Sequence, residues 1–194
     1  MARVLLVTND FPPKIGGIQS YLRDFLATLD PRDVVVFAST QESPAEFDAA
    51  VDYKVIRWPR RVMLPTPATV RRMQEIIRAE NIDIVWFGAA APLALMGKAA
   101  KEAGATRVVA TTHGHEVGWS MLPGARQVLR HIGNHTDAIT YVSKYTRSRF
   151  ASAFGRGASL EYLPPGVDTG DYSPDLYAPK QGDADSAWVT EGNR

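Results

Sequence analysis

"TNDFPPKIGGIQSYL" (residues 8–22) follows the first apolar run of the chain, Val4-Leu5-Leu6-Val7. A short continuous apolar run reads as a strand buried on both faces. Beyond the loop, Ile18, Tyr21, Leu22, Phe25, Leu26 and Leu29 recur at helical spacing and mark one apolar face. Between strand and helix stand two prolines, a lysine and adjacent glycines, more than a plain turn requires. In doubly wound folds, ligands bind beyond the carboxyl ends of the strands, where this loop falls. Gly16 and Gly17 put no side chain in the way of an approaching group. The helix start offers unsatisfied N–H donors and a partial positive charge, and Lys14 adds a full one. The stretch therefore reads as a site for a phosphate or a sugar hydroxyl, with Asn9, Lys14, Gly16, Gly17 and Gln19 as candidate contacts. A glycine-rich turn joining strand to helix is the alternative. The G-x-G-x-x-G spacing of dinucleotide binding is absent and no G-K-[ST] follows, which disfavours NAD binding and ATP hydrolysis.

Outward from this loop, apolar runs alternate with helical patterns. Strands are expected over 34–37, 53–58, 82–87, 107–112, 138–142 and 159–163. Helices are expected over 69–80, 92–103, 122–132 and 144–154. The alternation predicts an α/β fold, a Rossmann-like doubly wound parallel sheet covered on both faces. Residues 1–165 form that domain in this reading. Residues 166–194 shift to Gly, Asp, Pro and Ser without apolar periodicity and read as a linker or tail.

The chain has 194 residues, is 45% hydrophobic and carries a net charge of +1, so bulk charge does not argue for nucleic acid. The absence of cysteine excludes disulfides, zinc–thiolate sites and a thiol nucleophile, and fits a cytosolic compartment. Residues 2–7 are too short for the apolar region of a signal peptide, and no stretch approaches the roughly 20 apolar residues of a membrane span. Any membrane contact is expected to be peripheral.

A second rim motif, "TTHGHEVGWSMLPGAR", begins at Thr111 at the end of an expected strand. His113, His115 and Glu116 lie within four residues, separated by Gly114. A neutral imidazole can hydrogen-bond a sugar hydroxyl, and a carboxylate can orient it. Metal binding competes, but H-x-H-E lacks the spacing of H-E-x-x-H and no third ligand is evident. A histidine that merely satisfies loop carbonyls is the structural alternative. Ser143 follows a strand without the G-x-S-x-G of a nucleophile elbow. Met121, Leu122, Leu129 and Ile132 read as core.

Charge is patterned beneath the near-neutral total. Three windows contain bases and no acids: 57–72, 119–135 and 144–156, together holding eleven of the 22 basic residues. The first mixes Arg57, Arg60, Arg61, Arg71 and Arg72 with Trp58 and Met63, a composition suited to an anionic membrane surface. A strand end and loop with its apolar members in the core is the other reading. No nucleic-acid-binding signature accompanies these bases.

Taken together, "NDFPPKIGGIQSYLRDF", "VWFGAAAPLAL", "TTHGHEVGWSMLPGARQVLR", "YVSKYTRSRF" and "YLPPGVDTGDYSP" resemble the N-terminal half of a retaining glycosyltransferase of the two-Rossmann-domain (GT-B) type. The likeness is greatest to the PimB-type mannosyltransferases of mycobacteria and corynebacteria and covers residues 2–175. It implies transfer of mannose from GDP-mannose to a phosphatidylinositol monomannoside, on the inner face of the plasma membrane, with retention at the anomeric carbon. It also implies an acceptor-side first domain and a nucleotide-sugar-binding second domain, no essential metal and no protein nucleophile. By motif, Gly16 and Gly17 would lie against the donor phosphate or the acceptor, and His113 would contact the transferred sugar. His115 and Glu116 share that loop. The basic pair and acidic motif expected of the second domain do not follow "PPGVDTGDYSP", and Ala187–Thr190 only faintly resembles the family's last helix. The expectation is a domain fragment or truncated form. A non-catalytic module binding sugar phosphates or anionic lipids is the alternative.

Overall fold

In the computed structural model, residues 2–167 are described. The expected tail lies outside them apart from Gly166 and Val167, as does Ala187–Thr190. Seven strands form one sheet: β1 (Val4–Thr8), β2 (Val34–Ser39), β3 (Lys54–Trp58), β4 (Ile84–Phe87), β5 (Arg107–Thr112), β6 (Ala138–Tyr141) and β7 (Ser159–Tyr162). Every pairing is parallel, in the order β3-β2-β1-β4-β5-β6-β7. The chain winds outward from β1 through β2 to β3, then returns to β1's other side with β4. This Rossmann-like order puts the topological switch point between the carboxyl ends of β1 and β4.

The connecting helices are α1 (Gly17–Leu26), α2 (Pro44–Ala50), α3 (Pro67–Ala79), α4 (Gly97–Glu102), α5 (Glu116–Met121), α6 (Pro123–Asn134) and α7 (Lys144–Phe154). Side chains alternate between the faces of each strand. Leu6, Val36 and Trp86 join Tyr21, Leu22 and Leu26 of α1 in one core. Leu5, Val7, Val35, Phe37 and Val85 join α3, α4, α6 and α7 in the other. Burial on both sides explains why the central strands read as unbroken apolar runs.

Local chemistry sets several boundaries. Thr66 caps α3 by accepting from the Thr69 N–H, with Pro67 at the first helical position, so the helix begins two residues before the expected Thr69. Ser143 caps α7 through the Tyr145 N–H. The helix expected over 92–103 is instead a 3₁₀ turn, Leu93–Met96, followed by the short α4. Gly97 packs there against the His135 carbonyl, 2.8 Å from where a Cβ would stand. The short helices α2 and α5 escape periodicity because neither is long enough to display it.

The tightest approach joins α6 to the end of α7. A Cβ on Gly133 would stand 2.0 Å from the Phe154 carbonyl oxygen, a backbone atom that no rotamer change can move. Gly133→Ala is expected to destabilise the domain by about 2–3 kcal/mol, read as a lower urea midpoint at unchanged slope. An unchanged midpoint would refute this packing.

Candidate functional site

The glycine loop leaves β1 at the switch point, and its two glycines have different roles. Gly16 is the extended residue before α1, and its carbonyl accepts from the Ser20 N–H at 2.9 Å. A Cβ there would lie 2.3 Å from Oε1 of Gln19. Gly16 thus makes room for Gln19, a buried side chain whose Nε2 donates to Asp10 Oδ1 at 3.1 Å. A Cβ on Gly17 would meet nothing within 4 Å. Unlike α3 and α7, α1 has no side-chain cap, and its first turn carries no acid. Its opening N–H groups keep their donor capacity and the positive end of the helix dipole.

Asn9 serves the loop. Its amide donates to the Met63 carbonyl at 2.9 Å and accepts from the Met63 N–H at 2.6 Å. That clip fixes the loop after β3 to the end of β1. Between them opens a cleft of about 700 Å³, whose lining includes Asp10, Lys14, Gln41, Glu42 and Arg61. Lys14 makes no ion pair among the described residues, whereas Arg61 pairs with Glu42 at 2.6 Å.

The structure divides the residues expected to form a membrane patch. Met63 is fully buried in the core beneath the Asn9 clip, so it presents nothing to a membrane. Arg57 is only 12% exposed and paired to Asp48 at 2.6 Å. Its guanidinium also donates to the Ser39 and Pro12 carbonyls and lies over the Phe11 ring. Arg57 is therefore a brace for the glycine loop. Trp58 is half-buried with its ring edge-on to Phe37. Arg72 pairs with Glu75 at 3.0 Å, while Arg60 and Arg71 are exposed.

His113 follows β5 and reaches back across the rim. Its Nε2 donates to the Gly88 carbonyl, just after β4, at 2.8 Å. A carbonyl can only accept, so this bond fixes the proton on Nε2 and makes Nδ1 the ring's acceptor. The ring also meets Tyr21 of α1 edge-on, with centroids 5.4 Å apart. Burial pushes the Tyr21 phenol up to about 12, and the neutral hydroxyl donates to the Leu163 carbonyl at 3.1 Å. The glycine-loop helix and the histidine loop thus meet at one sheet edge.

Glu116 is 2% exposed, and its carboxyl accepts from the Gly114 N–H at 3.2 Å. Burial raises its pKa, opposed by the backbone N–H groups of Glu116, Gly114 and His113. Its task is to hold the 113–116 loop. His115 is exposed immediately before α5. Among the described residues no group of three His, Asp or Glu side chains is placed to hold a metal ion. Asp10 belongs to the site without having been singled out in the sequence, while Tyr21 was read only as part of an apolar helix face and Gly88 only within the "VWFGAAAPLAL" motif. Asp10 carried the one available signal, its place beside Asn9 at the end of a strand. Leu129 and Ile132 are core as expected, but Met121 is 78% and Leu122 63% exposed, which corrects their expected burial.

Burial lowers the His113 pKa from its ordinary 6.5, with the bond to Gly88 opposing. An unfolded chain takes up this proton near pH 6.5 while the folded one resists. Stability from His113 is therefore full above about pH 6.5 and is lost as pH falls toward the lower folded value. His131 shifts the same way and Glu116 the opposite way, so the signal lies in a difference. Between about pH 7.5 and 5.5 the wild type should lose more stability than His113→Gln in urea titrations. Equal losses would refute the assignment.

Comparison with known proteins bears on the family and the fold. Residues 15–171 match the family model described as Glycosyltransferase Family 4. The chain is 64% identical over 174 residues to the GDP-mannose-dependent monoacylated alpha-(1-6)-phosphatidylinositol monomannoside mannosyltransferase of Corynebacterium glutamicum, covering 89% of this chain and 46% of that protein. It is 59% identical over 181 residues to the GDP-mannose-dependent alpha-(1-6)-phosphatidylinositol monomannoside mannosyltransferase of Mycobacterium tuberculosis, covering 90% and 47%. These relatives bear out the PimB-type resemblance, and the chain spans about half their length. Among solved structures, Anabaena HepE in complex with UDP and glucose shares the fold at TM-score 0.67 and 15% identity, over 93% of this chain and 50% of that one. Sucrose-phosphate synthase from Thermosynechococcus elongatus does so at 0.62 and 14%, over 92% and 53%. On the sheet order, the rim motifs and a family match running from the glycine loop past the last strand, the chain belongs to glycosyltransferase family 4.

Proposed function

We propose that this chain is the acceptor-side half of a retaining α-mannosyltransferase, which moves mannose from GDP-mannose to a phosphatidylinositol mannoside. The observation that carries the reading is His113, bonded to Gly88 and packed on Tyr21 so that both rim motifs share one crevice. The names of the relatives supply donor and acceptor. In this reading residues 1–165 are the acceptor domain, 166–194 lead out of it, and a second domain completes the enzyme by holding the nucleotide.

The chemistry asks little of the protein in covalent terms. The bond between the mannose anomeric carbon and the diphosphate oxygen breaks, and a bond to the acceptor hydroxyl oxygen forms on the same face. The acceptor proton passes to the departing diphosphate, so no protein nucleophile or metal is assigned. The protein's task is orientation and electrostatics. Neutral His113 accepts from a sugar hydroxyl through Nδ1. Glu116 positions its loop, and exposed His115 borders the opening. The N–H groups at Gly17 and the following residues face the donor phosphate or the acceptor. Lys14 suits an anionic group of the substrates in the cleft, with Asn9, Gln19 and Gly16 holding the loop. No described helix is long and apolar enough to cross a membrane, and the reading makes the protein peripheral on the inner face of the plasma membrane.

The test joins this chain to the C-terminal half of the Corynebacterium glutamicum relative and measures mannose transfer from GDP-mannose to detergent-dispersed phosphatidylinositol monomannoside. His113→Ala should lower kcat by about 10²–10³-fold. Gly17→Ala, which meets no steric conflict, should leave the urea midpoint at or above wild type while weakening transfer at least about tenfold. Headgroup binding without any transfer by the chimera would favour the non-catalytic module instead.

A further inference from the structure

We propose that the anionic-lipid docking surface is the α5–α6–α7 face, centred on Met121, Leu122, Arg126, Lys144, Tyr145 and Arg149, rather than the arginine-rich loop after β3. The inference rests on the lipid-acceptor reading above and adds to it the surface that meets the bilayer.

From Val117 to Leu160 the sequence contains a single acid, Asp137. That carboxylate is already engaged by Lys101 at 2.9 Å and by the Val108 N–H at 2.7 Å, at the opposite end of β6 from the rim. The same span contains Arg126, Arg130, Lys144, Arg147, Arg149 and Arg156. None of these joins any ion pair among the described residues. In the stretch from β3 into α3, by contrast, Arg57, Arg61 and Arg72 are paired, and only Arg60 and Arg71 join no ion pair among the described residues. A cation with an acid partner has little charge left to offer a surface.

Two of these free cations, Arg126 and Arg149, are brought together by contacts among α5, α6 and α7. Ser120 of α5 donates to the Arg149 carbonyl of α7, and Arg126 of α6 reaches Ser152 Oγ of α7 at 3.1 Å. Arg149 bonds the Tyr145 hydroxyl at 3.2 Å and lies over its ring. At the α5–α6 junction Met121 and Leu122 are exposed by 78% and 63%, and Tyr145 by 67%. Adjacent exposed apolar side chains on a three-helix face that also carries unpaired cations and an exposed tyrosine suit the boundary between headgroups and acyl chains. The loop after β3 also exposes Val62 and Leu64, so the distinguishing feature is charge. Position supports the same choice: α5 starts directly after the His113 loop, so a bilayer against its end holds an acceptor headgroup beside the crevice.

The test is co-sedimentation of the 194-residue chain with phosphatidylcholine vesicles containing or lacking phosphatidylinositol. The wild type should bind only the anionic vesicles and release them in about 1 M NaCl. Arg126→Glu with Arg149→Glu should weaken binding roughly 10- to 30-fold. Lys144→Glu, at an exposed first-turn position, provides a second reversal with little risk to folding, and Met121→Asp should also weaken binding. Arg60→Glu with Arg71→Glu should change binding less than about twofold. The proposal is overturned if the wild type binds neutral vesicles equally well or anionic ones not at all. It is also overturned if the Arg60 and Arg71 reversals abolish binding while those on α6 and α7 do not. Transfer to detergent-dispersed acceptor is measured in parallel on the chimera. Transfer without vesicle binding overturns the docking surface alone; vesicle binding without transfer leaves that surface standing and removes the enzymatic reading.

Discussion

The reversal of winding between β1 and β4 is the constraint from which the rest of the site follows. Because α1 covers one face of the sheet while α3 and α4 cover the other, the carboxyl ends of β1 and β4 have no helix laid directly across them. Beside that gap the fold sets a side-chain bond from His113 after β5 to the Gly88 carbonyl after β4. Gly88 permits it by being small. A Cβ there would lie 2.8 Å from the Leu22 side chain of α1 and 3.0 Å from that of Thr8, so any larger residue would displace the packing of α1 on the strand end. The close seating of α1 brings Tyr21 against the imidazole. Helix position, ring tautomer and crevice width are thus set by the same few atoms.

Around this centre the loops are braced by buried polar side chains rather than by regular structure. Arg57 spans β2, the glycine loop and α2 through Ser39, Pro12 and Asp48. Asn9 ties the loop after β3 to β1. Removing a pair such as Arg57–Asp48 from water offsets much of its attraction, so its value lies in the one geometry that satisfies every donor. A binding rim benefits from that kind of rigidity, because its groups must be in place before the ligand arrives.

How much of this was legible in the sequence follows from the range of each interaction. Strands buried on both faces show themselves as apolar runs, and long one-sided helices as periodicity, so the sheet, α1, α3, α6 and α7 were readable. The two rim motifs were readable because strand ends in a parallel sheet define the ligand edge. The division of labour between Gly16 and Gly17 was not, since it depends on where Gln19 turns. The burial of Met63 was one of two readings the stretch allowed, and the contact that fits it, the Asn9 clip on its backbone, joins residues 54 positions apart. The six residues of α5 carry Gly118 in their middle and no repeat, so that helix is fixed by its packing on α6 and α7.

Charge is where local reading misleads most. A window without acids looks equally cationic wherever it lies in the chain, but the field at a surface depends on what the fold sets opposite it. Three of the five bases from β3 into α3, Arg57, Arg61 and Arg72, face α2, the loop before it and their own helix, and these supply Asp48, Glu42 and Glu75. The bases of α6 and α7 face each other and α5, and those three elements contribute one acid among them, the buried Glu116. Two stretches of similar composition therefore reach the folded state with different electrostatic character. In the first, Arg57 braces the glycine loop and two further bases are paired; in the second, every base remains without an acid partner among the described residues.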